Sequence, residues 1–293
     1  MQALEQVILP RSRDIGGFEV SRILPVKSKR MVGPFVFLDQ MGPTEFLPGQ
    51  GIDVLPHPHI GLATLTYLYQ GSLMHADSLG VTQRIVPGEI NWMTAGRGIT
   101  HSERTHPEDR AQGMTLEGFQ SWVALPKALE ECEPDFEHHP NSALPEIIEP
   151  GVHMTLLLGE AYGCRAPAQT YSPLFYIDAR IDAGHSVTLP NPKQDRALFI
   201  RSGTVESGGT LFESGQLLVV KPDTEVSFLA HSDASLLLLG GEPLDEPRHM
   251  FWNFVSSDKA LIEQAKADWA AENWGQGRFE LPPNDRAAFV PLP

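Results

Sequence analysis

The stretch Leu62-Ala63-Thr64-Leu65-Thr66-Tyr67-Leu68-Tyr69-Gln70-Gly71-Ser72-Leu73-Met74-His75 decides the fold class. It is rich in aromatic and β-branched residues, and Gln70-Gly71 interrupts it where a chain reversal belongs. Working outward, the same grammar repeats. Thr82–Val86 and Ile90–Thr94 read as further strands, with turns at Leu79-Gly80, Pro87-Gly88 and Gly96-Arg97-Gly98, and Gly118–Leu125 adds one more. Upstream, Val32–Gln40 is a strand that leaves a Gly-Pro turn and enters Met41-Gly42-Pro43. Short strands at this spacing, with no helical period between them, predict an antiparallel sandwich or barrel.

A second strand-rich region runs from His153 to Gly240, with candidate strands Leu174–Ile181, Ser186–Leu189, Ala197–Arg201, Gln216–Val220, Val226–Leu229 and Ser235–Leu239. Between the two regions, from Leu125 to Pro150, prolines alternate with acidic residues, as in a connection with some local structure of its own. After them, Ser256-Ser257-Asp258 is a helix start with a hydroxyl cap and an acid in the first turn, and Leu261, Ile262, Ala265 and Trp269 recur at helical spacing before Gly275 and Gly277. The expected plan is all-β, with an N-terminal barrel over 1–135, a C-terminal barrel over 136–245, and a tail over 246–293 whose helix packs on the barrels.

Composition narrows the function. The 293 residues suit about two domains. A net charge of −15, with only 22 Lys and Arg and no basic run, disfavours direct contact with nucleic acid or an anionic membrane surface. Two cysteines, Cys132 and Cys164, without CxxC spacing argue against a disulfide scaffold. The N-terminus lacks the pattern of a signal peptide, and no apolar run approaches the ~20 residues that span a bilayer. A cytoplasmic location is the expectation.

The chemistry concentrates in two short motifs. In Leu55-Pro56-His57-Pro58-His59-Ile60-Gly61, residues two apart share a strand face, so His57 and His59 can aim both imidazoles at one interior point. In Gly98-Ile99-Thr100-His101-Ser102-Glu103 the same alternation pairs His101 with Glu103. Either pair alone is weak. Together they make a three-histidine, one-carboxylate set, and burying those groups without a cation is costly. One divalent metal ion is therefore expected at His57, His59, His101 and Glu103, with about two positions open on an octahedral ion. Other histidines read differently. His75 and Asp77 repeat the two-apart spacing but are not counted as ligands, His106, His138 and His139 are placed in polar loops, and His185 and His231 stand isolated.

The runs His57-Pro58-His59-Ile60-Gly61, Gly71-Ser72-Leu73 to Asp77-Ser78-Leu79-Gly80, and Asn91-Trp92-Met93-Thr94-Ala95-Gly96-Arg97-Gly98-Ile99-Thr100-His101-Ser102-Glu103 closely resemble the pirins. Gly118-Phe119-Gln120 with Trp122, and Asn253-Phe254-Val255-Ser256-Ser257, are similar to bacterial pirins. The resemblance is strong over residues 10–135 and loose over 150–240. It implies two tandem cupin barrels (a bicupin of the double-stranded β-helix, or jelly-roll, type). It also implies one Fe(2+) in the N-terminal barrel, held by His57, His59, His101 and Glu103, and a C-terminal barrel without metal. Mn, Co, Ni, Cu or Zn could occupy the same ligands, because affinity order alone does not select the ion.

Several bacterial pirins resemble quercetin 2,3-dioxygenases, which open a flavonol ring with dioxygen and release carbon monoxide. That reading makes Glu103 the acceptor of the flavonol hydroxyl proton. The alternative is a non-catalytic iron protein that regulates a transcription factor or metabolic enzyme as a protein partner. Arg97 and Gln120 could support the ligands, and Phe119 and Trp122 could line the pocket or simply fill the barrel. The sequence departs from many pirins at Ala63, where a Glu is usual; counted by parity from His57 and His59, Ala63 faces the interior and a carboxylate is missing there.

Overall fold

A computed structural model describes residues 3–15 and 18–293 of the chain. Strands dominate, and the chain divides into two compact units. One contains residues 3–11, 22–37 and 141–244, the other 12–21, 38–140 and 245–293. None of the described helices is long and apolar enough to cross a membrane.

The unit built from 38–140 holds a four-stranded sheet in the order Asp53–His59, Ile99–Arg104, Leu73–Asp77 and Thr82–Ile85. A second sheet places Ile90–Thr94, Leu62–Gln70 and Met114–Ala124 side by side, and all these neighbours are antiparallel. Its apolar filling includes Leu68, Leu73, Ile85 and Leu116, each sealed from water. Alternation explains the arrangement, since successive side chains point to opposite faces and only the apolar row can face its counterpart.

The region expected to be a connection contributes more than a link. Asp135–His139 is a strand that pairs with Ile90–Thr94 and extends that sheet. His138 and His139 are thus strand residues rather than loop residues, and His138 meets the Asn91 carboxamide at 2.8 Å. His106 caps a short helix, Pro107–Gln112, that the sequence reading did not anticipate. The proline at its first turn and the acidic Glu108 and Asp109 are the local signals for it.

The other unit repeats the two-sheet plan. Leu217–Val220, Asp195–Ser202, Ala234–Gly241, Leu174–Ile181 and Val152–Ala161 lie in that order, and Leu4–Ile8 from the N-terminus pairs with Leu217–Val220. Ser186–Thr188, Ser227–Ala230, Thr204–Ser207 and Thr210–Glu213 form its smaller sheet. Leu156, Ile177, Leu198, Phe228 and Leu238 fill the space with no measurable exposure.

The helix Lys259–Ala270 begins close to where the sequence placed it, but its cap is the Asp258 carboxylate, accepting from the Ala260 N–H at 2.8 Å, rather than a serine hydroxyl, and no acid lies in its first turn. Its buried stripe is Ile262, Ala265 and Trp269, which packs with Ile60, Phe254, Phe279 and Leu281. Trp269 Nε1 donates to the Val290 carbonyl at 3.0 Å, so the segment after the helix folds back over it. The tail is also tied down by a buried ion pair, Arg248 Nε to Glu130 Oε1 at 2.9 Å. Glu130 further accepts from the Ser256 hydroxyl and the Ser257 N–H, and Arg248 donates to the Leu125 carbonyl.

Candidate metal centre

His57 and His59 leave the same face of Asp53–His59, and Ile99–Arg104 pairs beside it with His101 directly opposite His57. The register then slips, so that Glu103 faces Val54. Three residues on one strand span two on the other, which is a β-bulge, and it falls at Leu55-Pro56. A proline cannot donate to the ladder, so a bulge is where a strand tolerates it. The bulge keeps His57 and His59 inward while restoring Val54 to the apolar filling.

The ligand nitrogens of His57, His59 and His101 all lie within 4.8 Å of one another, and all three residues are buried. The rings of His57 and His101 are 4.4 Å apart, and His59 Nε2 approaches His101 Nε2 at 3.1 Å. Two nitrogens on adjacent corners of one octahedron, each ~2.1 Å from the ion, would sit about 3 Å apart. Burial drives the proton affinity of all three rings down: His57 is lowered to about 4, and His59 and His101 fall well below the ordinary histidine range. Repulsion from neighbouring histidines adds to the shift: His75 acts on all three rings, His57 on His59 and His101, and His59 on His101. Neutral imidazoles with free lone pairs are the form that binds a metal.

Proton bookkeeping supports the fit. His57 Nδ1 donates to the Leu55 carbonyl at 2.8 Å, which leaves the lone pair on Nε2. His59 Nδ1 is buried with no hydrogen-bond partner among the described residues. Three close, buried, neutral imidazoles have little reason to crowd together unless a cation draws on their lone pairs.

Glu103 is buried two residues beyond His101. The Thr66 hydroxyl donates to its Oε1 at 3.4 Å, and the Gln120 side chain also bonds it. Burial raises its pKa above the ordinary glutamate value, offset in part by His75 and by these two bonds. The compact three-nitrogen group consists of the imidazoles alone, with Glu103 beside it rather than inside it.

Two residues set aside in the sequence reading belong to this neighbourhood. His75 Nδ1 lies 3.3 Å from His101 Nδ1, and His75 Nε2 is 2.9 Å from Asp77 Oδ2. The His75 ring stacks on Phe136 at 4.5 Å. Their two-apart spacing was visible. What was not visible is that Leu73–Asp77 pairs with Ile99–Arg104, with Glu103 opposite His75 and His101 opposite Asp77.

Ala63 is a correction. Thr66 reaches Glu103, and it pairs with Gln120, which reaches Glu103 too, so the even-numbered residues of Leu62–Gln70 face the site. Ala63 lies on the opposite face, paired with Val123 and Thr94. Parity counted from His57 fails because Gly61, at φ +68°, breaks the strand. No acid is missing from the interior at that position.

The remaining candidates sort cleanly. Trp122 stands edge-on to His59 at 5.2 Å and forms part of the wall, whereas Phe119 meets Tyr69 at 6.0 Å. Arg97 pairs with Glu133 at 3.0 Å as a half-exposed turn residue. His231 pairs with Glu206 at 2.7 Å, and the ring of His185 lies against Gly151.

Sequence and fold comparisons identify what the chain is similar to. The pirin family profile matches residues 17–123, and the profile of the pirin C-terminal cupin domain matches 176–275. A pirin-like protein of Caulobacter vibrioides is 47% identical over 293 residues, covering 99% of both chains. A crystal structure of quercetin 2,3-dioxygenase from Acinetobacter baumannii superposes with a TM-score of 0.91 at 33% identity, covering 100% of this chain and 95% of that one. A second quercetin 2,3-dioxygenase structure from the same organism gives 0.86 at 29% identity, covering 93% and 98%. Both units are cupin barrels.

Proposed function

This chain belongs to the pirin family, and from that premise we propose that it is a metal-dependent dioxygenase that opens the ring of a flavonol-like substrate. The resident ion in this reading is Fe(2+), on His57, His59, His101 and Glu103. The observation that carries the proposal is the convergence of three buried imidazoles on one point. The solved quercetin 2,3-dioxygenases of the same fold supply the substrate class.

When bound, the ion supplies Lewis-acid and one-electron chemistry toward dioxygen and the substrate. The protein supplies the rest. Asp53–His59 and Ile99–Arg104 hold three nitrogens in place on rigid strands. Glu103 is the proton acceptor for the flavonol hydroxyl, a buried carboxylate two residues beyond His101. Thr66 and Gln120 keep the carboxylate aimed. Trp122 excludes water from the side of His59.

Oxygen uptake on quercetin by Fe(2+)-loaded protein, with carbon monoxide measured as product, tests the proposal. Glu103→Gln should lower the rate by about 10²- to 10⁴-fold, the usual contribution of a placed base. Loaded wild-type protein that leaves quercetin and dioxygen unconsumed overturns the reading, as does a Glu103→Gln variant of unchanged rate. A stoichiometric protein partner in place of turnover would favour the regulatory alternative.

A further inference from the structure

We propose that Asp77 and His75 are positioning residues that fix the tautomer of His101 through two linked hydrogen bonds. The inference rests on the metal reading above and concerns which His101 nitrogen carries the proton. Asp77 is buried without measurable exposure, and an ionised carboxylate can only accept. Its Oδ1 accepts from the Leu79 and Val81 N–H groups at 2.9 and 3.1 Å. Its Oδ2 faces His75 Nε2 at 2.9 Å, so His75 carries its proton on Nε2 and donates.

The consequence propagates. With an ion on His101, the His75 ring in this reading is the neutral form protonated at Nε2, and its accepting lone pair at Nδ1 lies 3.3 Å from His101 Nδ1. His101 Nδ1 is then the donor, and the lone pair of His101 is left on Nε2, the nitrogen that points toward His59 at 3.1 Å. The stack of His75 on Phe136, with 24° between the ring planes, holds the middle ring in the orientation both bonds need. His57 solves the same problem with a single bond to the Leu55 carbonyl. His101 uses a second histidine and a carboxylate instead, an extended form of the outer support that ligand histidines normally receive.

Asp77→Asn inverts this chain without changing its shape. The amide oxygen must stay on the two loop N–H groups, so the amide nitrogen faces His75 Nε2 and donates. The proton moves to His75 Nδ1, which donates to His101 Nδ1, and His101 is left with its proton on Nε2.

Zinc(II), which is diamagnetic, serves as the probe ion. Chelator competition should show Asp77→Asn binding zinc about 10- to 100-fold more weakly than wild type. ¹⁵N spectra of the zinc-loaded wild type should show a protonated Nδ1 on His101 and an unprotonated Nδ1 on His75. Melting of the metal-free variant reports separately on folding. If the variant melts early, the ¹⁵N assignment of the wild type decides alone. Equal zinc affinity in a well-folded Asp77→Asn, or a protonated Nδ1 on His75, overturns the proposal. His57→Ala separates the two ideas: if it also leaves zinc affinity unchanged, the metal site itself has failed rather than the relay.

Discussion

Acidification should destabilise the metal-free protein through His57, and by a calculable amount. Burial lowers the pKa of this imidazole from 6.5 to about 4. Folding therefore selects the neutral ring, while the unfolded chain takes up a proton as pH falls below 6.5. Stability is present in full above that value and is lost progressively as pH falls toward about 4. The ratio (1 + 10^(6.5−pH))/(1 + 10^(4−pH)) is about 1.3 at pH 7 and about 30 at pH 5. Multiplying the logarithm by RT gives a difference of about 2 kcal/mol between the two pH values. His59 and His101 are shifted in the same direction, so the whole cluster acts in the same sense.

Other groups titrate over this interval, so the comparison must be differential. Urea unfolding of chelator-treated wild type and His57→Gln at pH 7 and pH 5 isolates the contribution, because glutamine does not titrate. Wild type should lose about 2 kcal/mol more than the variant over that step. In melting temperature this is about 4–7 °C at the usual sensitivity of domains of 150–250 residues. Equal losses in the two proteins would mean that His57 is accessible to protons in the folded state, and the picture of a buried, neutral cluster would fail.

The tail and one turn offer two further tests. Arg248→Met should cost about 3–5 kcal/mol in urea unfolding, because Glu130 would stay buried beside Ser256 and Ser257 without its cation; a cost under 1 kcal/mol would show that the pair is hydrated. Gly61→Ala should destabilise by about 1–3 kcal/mol in the same assay, since φ is +68° and a Cβ would collide with the Val255 carbonyl. A neutral effect there would mean that the turn relaxes freely.

Much of the site was legible because strand alternation is a local rule. His57 and His59, or His101 and Glu103, share a face once each run is recognised as a strand, whatever the rest of the chain does. The helix Lys259–Ala270 was legible for a similar reason, since Asp258 and the spacing of Ile262, Ala265 and Trp269 are local. Local rules stop where the strand stops. Gly61 resets the count of faces, so the inward residue near the site is Thr66, with Ala63 turned away. Pro56 sits in a bulge that the alternation rule by itself would not place.

Neighbour relations were the other gap. Nothing in Leu4–Ile8 names Leu217–Val220 as its partner, and nothing in Asp135–His139 announces that Phe136 will stack on His75. Such pairings depend on which loops close and on which apolar faces must be covered, which are properties of the whole chain. By itself, then, the sequence determined most strands of the two sheet regions, the C-terminal helix and the two motifs that carry His57, His59, His101 and Glu103, because periodicity and capping act within a few residues. Only the tertiary structure decided that Leu73–Asp77 lies against Ile99–Arg104, which brings His75 and Asp77 to the back of His101. Register between distant strands is set by the packing of their faces, and no short stretch of residues carries that information.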